Sequence, residues 1–178
     1  IALRNDMDGV FPATPNIAAN SDFTYRFTSP HPGTYWAHPH VGLEADYGLY
    51  LPVIIDDPAE PANYDAEWIV VLDDWTDGIS KSPQQIYDAL KSQSMPAEMP
   101  GMGAMPGMNP VGSSNLLGRD SGDVDYPYYL VNGRMAAAPQ TFTARPGSRA
   151  RIRLINAGGD TAFRVALGGH RLRVVHAD

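Results

Sequence analysis

Apolar and polar residues alternate with a period of two in short runs, and this pattern most constrains what the chain can fold into. Phe23, Tyr25 and Phe27 alternate with Thr24 and Arg26. Ile152 and Leu154 alternate with Arg151 and Arg153, Phe163, Val165 and Leu167 with Arg164, and Leu172 and Val174 with Arg171 and Arg173. Residues 48–56 and 68–72 are compact apolar runs. Side chains of a strand point to opposite faces in turn, so alternation of this kind wets one face of a sheet and packs the other. Short strands separated by Pro, Gly, Asn and Asp turns predict an all-β chain of antiparallel sandwich or barrel type.

One helix is expected. Ser82-Pro83-Gln84-Gln85 combines an N-cap, a first-position proline and the third-position amide of a capping box. Ile86, Ala89 and Leu90 supply the apolar stripe, and the helix should end before Pro96. Pro58 and Pro61, among acidic and small residues, are poor strand material and predict a boundary. The expected division is therefore 1–58 as the end of one β-domain, 59–65 as a linker and 66–178 as a second β-domain, itself cut short. A Met/Pro/Gly-rich stretch, 95–112, reads as a long loop within the second domain. Ile1 has no initiator Met or signal segment before it, and the strand-forming run at the other end has no turn after it. Both predict that the chain is an internal piece of something longer.

With a net charge of −7 and no basic run, the chain lacks the footprint of a nucleic-acid binder. No apolar stretch reaches membrane-spanning length. There is no cysteine, hence neither a disulfide framework nor thiolate metal chemistry.

The sharpest chemistry lies at His38-Pro39-His40. In a strand, alternate side chains share a face roughly 6–7 Å apart, which suits two imidazoles on neighbouring metal ions better than one shared ion. Imidazole serves copper and zinc alike, and by itself an H-x-H segment also fits surface or core histidines.

The flanks carry more. Gly33-Thr34-Tyr35-Trp36-Ala37-His38-Pro39-His40, then Gly48-Leu49-Tyr50-Leu51-Pro52-Val53-Ile54-Ile55, resembles the second copper motif of multicopper oxidases, G-T-[YF]-W-x-H-x-H followed by G-L-x-x-P and a β-branched run. The resemblance implies cupredoxin-like Greek-key β-sandwich domains. It also implies a trinuclear copper cluster enclosed by H-x-H-type segments of the first and last domains, with His38 and His40 as ligands of the type 3 copper pair. Residues 1–9 resemble the continuation of the family's first motif, which places Asp8 at the position of an acid relaying protons to the cluster. Asp6 competes for that role, and Asp8-Gly9 also fits a simple turn. Leu130-Val131-Asn132-Gly133, Arg145-Pro146-Gly147 and the segment from Arg151 to Ala157 resemble the middle domain of three-domain members, which carries no copper. His170 and His176 share the parity of Leu172 and Val174 and read as structural, partly buried sheet residues; His31, between Pro30 and Pro32, reads as a loop residue.

Met95, Met99, Met102, Met105 and Met108 have soft thioethers that favour Cu(I). Copper-resistance members of the family carry such inserts, and a low-complexity insert without ligands fits equally. The resemblance thus implies a laccase-like oxidase, acting outside the cytoplasm, that passes electrons from phenols, aromatic amines or cuprous ion to dioxygen. Its partners are the remaining cupredoxin domains of the parent chain. The blue-copper site needs a cysteine and lies elsewhere, so the piece alone should be inactive. Two other readings stand beside this one: a copper-storage or resistance protein using the Met residues, and a copper-free cupredoxin-like cell-division scaffold.

Overall fold

The computed structural model describes residues 3–60, 63–92, 124 and 126–177. Among these the elements run β1 (Gly33–Ala37), β2 (Leu51–Ile55), β3 (Ala66–Trp75), α1 (Pro83–Ser92), β4 (Tyr128–Val131) and β5 (Ala150–Asn156). Strand dominates and helix is scarce, consistent with the expected all-β, cupredoxin-like sandwich. The chain divides into two compact units. One comprises Ile1–Val71, Thr141–Ile155 and Val165–Asp178; the other comprises Leu72–Gln140 and Asn156–Arg164.

In the first unit, β1 and β2 pair antiparallel, with Gly33 opposite Ile55 and Ala37 opposite Leu51. Pro52 faces Trp36 across this ladder. It has no N–H to give, and a sheet of two strands leaves each with an outer edge where none is required. In the other sheet β3 is central, with β4 and β5 beside it. β4 pairs with β3 from Leu72 opposite Val131 to Trp75 opposite Tyr128. Asn132 and Gly133, with φ of 51° and 70°, close β4 in a two-residue turn. The N–H groups of Val131 and Arg134 each donate to the other's carbonyl, at 2.9 and 3.1 Å. Left-handed φ at both central positions is what an Asn-Gly turn supplies at least cost.

The capping box forms as its residues predict. Gln85 N–H donates to Ser82 Oγ at 3.3 Å, and Ser82 N–H donates to Gln85 Oε1 at 2.9 Å. Residues 93–123, including the expected stop before Pro96 and the 95–112 loop, lie outside the described residues.

Three expectations change. The alternating runs at 23–27, 163–167 and 172–174 form no strand. An alternating run becomes a strand only where a neighbouring strand takes up its backbone groups, and among the described residues no strand pairs with these. His170 and His176, which follow the same parity, are consequently exposed and not in a sheet. In β5 the faces are inverted: Arg153 and Ile155 are buried, whereas Leu154 is exposed.

Candidate metal centre

β1 carries the histidine pair to its end but does not contain it. The strand stops at Ala37, whose partner Leu51 closes the ladder, and Pro39 lacks the N–H needed to extend it. His38 and His40 therefore follow the strand, both exposed, with ring centroids 4.9 Å apart and planes tilted by 46°. The backbone that carries the two rings lies beyond the paired ladder. Trp36, the last large side chain of β1, stacks on His38 at 4.3 Å and 23°. Tyr50 meets the edge of Trp36 at 6.1 Å. Half-buried Trp36 thus braces one imidazole, and that imidazole lies against the other.

The spacer between His40 and β2 is a series of turns in which Leu49 N–H donates to Glu44 O at 2.9 Å and Tyr47 N–H to Leu43 O at 3.1 Å. Within it, Glu44 Oε2 is buried and has no hydrogen-bond partner among the described residues. A shielded carboxylate oxygen is a costly acceptor to leave open, and nothing in the local sequence distinguishes this glutamate from a solvated one.

β1 is also held from below. Arg153, 5% exposed, donates from Nη1 to Thr34 Oγ1 at 3.0 Å and from Nε to Glu67 Oε1 at 2.6 Å. Its Nη2 lies 4.0 Å from Asp56 Oδ1. Burial works against the guanidinium charge, but the Glu67 bond and nearby acidic groups outweigh it, and the arginine is held above its ordinary pKa.

Asp8 is exposed and belongs to a loop closed by Thr14. Arg4 claims its competitor, Asp6, through an ion pair and paired hydrogen bonds. The Arg4 hydrogen bonds and charge hold the Asp6 carboxyl below the usual carboxylate range, which suits a fixed anion better than a group that takes up and releases protons. His31 is an exposed loop residue. The methionines at 95, 99, 102, 105 and 108 lie outside the described residues.

Imidazole pairs are apt ligands for copper, so the chemistry of the donors fits. Among the described residues, however, no group of three or more His, Cys, Asp or Glu side chains could hold a metal.

Family models described as multicopper oxidase match residues 66–178 and 1–60. The multicopper oxidase MmcO of Mycobacterium tuberculosis (strain ATCC 25618 / H37Rv) is 62% identical over 178 residues, covering 100% of this chain and 35% of that protein. Copper resistance protein A of Escherichia coli is 35% identical over 199 residues, covering 100% of this chain and 32% of the relative. L-ascorbate oxidase of Cucurbita maxima is 31% identical over 166 residues, covering 91% and 28%. The chain thus spans about a third of the length of the curated relatives it matches. No solved structure matches it.

Proposed function

The chain belongs to the multicopper oxidase family, and from that premise we propose that it supplies part of the dioxygen-reducing centre of a copper-dependent oxidase. His38 and His40 are ligands of the type 3 copper pair, and segments outside this chain complete the cluster. Copper held there supplies one-electron chemistry, fed by a small reducing donor such as a phenol, an aromatic amine or cuprous ion. Trp36 fixes the plane of the His38 ring. Asp8 passes on the protons that water formation consumes.

The intact protein acts outside the cytoplasm, and no described helix is long and apolar enough to cross a membrane. Residues 1–58 close one cupredoxin domain, 59–65 link it to the next, and 66–178 belong to that second domain; the family models, which match 1–60 and 66–178, support the division.

The observation that carries this reading is the placement of the two imidazoles side by side at the end of β1, 4.9 Å apart and braced by Trp36. In the intact copper-loaded protein, His38→Ala and His40→Ala should each abolish oxygen consumption while leaving the blue absorption band in place. Loss of the blue band with turnover retained would contradict the assignment. The copper resistance relatives and the five methionines from Met95 to Met108 favour a second reading, in which handling cuprous ion is the main task. Cuprous ion bound by those methionines in the full-length protein, with no oxygen consumed, would select it.

A further inference from the structure

Thr14 is buried to 2% exposure in a segment whose neighbours are nearly all exposed. A side chain sequestered in that way in a short loop is held by specific partners, and Thr14 has two. Its hydroxyl donates to the Asn5 carbonyl at 2.6 Å and accepts from the Gly9 N–H at 3.1 Å. Its own N–H donates to the Val10 carbonyl at 2.9 Å. The two hydroxyl bonds grip the backbone on either side of Asp8, at Asn5 and at the residue that follows it. Gly9 turns there with φ of 79°, a left-handed conformation that a glycine adopts without a steric penalty. Asp8 itself is exposed in this loop. The backbone that carries its carboxylate is thus held on both sides by Thr14.

We propose that Thr14 is a positioning residue for Asp8, setting the place from which that carboxylate passes protons. The proposal rests on the relay role given to Asp8 above. A proton relay works over hydrogen-bond distances, so a loop that wanders slows proton delivery without touching the metal ligands or the electron donor. Valine keeps the shape of threonine but removes both hydroxyl bonds, whereas serine keeps the hydroxyl.

The test uses the intact, copper-loaded protein, measuring steady-state oxygen reduction against pH together with copper content and the blue band. Asp8→Asn should lower kcat by about a hundredfold, the low end of the usual contribution of a positioned acid or base. Thr14→Val should lower kcat by about tenfold and shift the pH profile, with copper content and the blue band unchanged, and Thr14→Ser should restore most of the loss. In the Asp8→Asn background, Thr14→Val should cost nothing more, because the two act in one step. If Thr14→Val does not accumulate as folded protein, Thr14→Ala carries the same comparison. Wild-type kcat and pH profile in a folded Thr14→Val or Thr14→Ala protein, or fully additive losses in the double variant, would overturn the proposal. Wild-type turnover in Asp8→Asn would instead overturn the relay reading on which it stands.

Discussion

Arg153 takes a full positive charge out of water at 5% exposure, and three side chains from three different stretches answer it. The bonds are unequal in a way that can be measured. Glu67 retains a third of its side-chain surface in solvent, while the side chain of Arg153 retains 4%. Removing the arginine leaves a carboxylate that water can reach, so Arg153→Met should cost roughly 1.5–3 kcal/mol, the scale of a charge-assisted hydrogen bond. Removing the carboxylate leaves the buried guanidinium only the Thr34 hydroxyl and the exposed Asp56, so Glu67→Met should cost more, roughly 3–5 kcal/mol. Denaturant unfolding of the two variants checks the order; equal midpoints, or the reverse order, would contradict it. This residue was not legible in the sequence. Its alternation with Ile152 and Leu154 suggests an outward charge, and its hydrogen-bond partners lie 86 and 119 residues away along the chain. Glu44 and Thr14 were missed for a related reason, since burial of a polar side chain is decided by what folds over it. Asp6 and Arg4, by contrast, are two residues apart, and that pairing is local chemistry.

Among the elements, those whose signals are local came out as predicted. Ser82, Pro83 and Gln85 contain everything the start of α1 requires, and both reciprocal bonds of the capping box are present. Ser82→Ala should therefore cost about 1 kcal/mol of helix stability, read as faster amide exchange at Gln85; unchanged exchange there would show that the cap contributes nothing. β2, β3 and β5 also fall on runs the sequence marks. Alternation at 23–27, 163–167 and 172–174 marks residues able to form a strand, but pairing depends on a partner that no local window contains. The same limit displaced the histidines. The motif located His38 and His40, yet only the ladder, ending at Ala37 opposite Leu51, shows that they follow the strand instead of lying in it.

On the scale of the whole molecule, two neighbouring imidazoles are what we propose this chain brings to copper, and among the described residues no group of three or more His, Cys, Asp or Glu side chains could hold a metal. The resemblance in the flanks of the pair and the match of both family models agree on the family. The roles of His38 and His40 rest on motif and placement together, and they stand or fall on where the metal binds. The most direct measurement is anomalous scattering at the copper edge from crystals of the intact, copper-loaded protein. Copper peaks should lie at bonding distance, about 2.0–2.1 Å, from one ring nitrogen of His38 and one of His40, on two different ions. Fully loaded copper sites with no peak within reach of either ring would contradict the assignment.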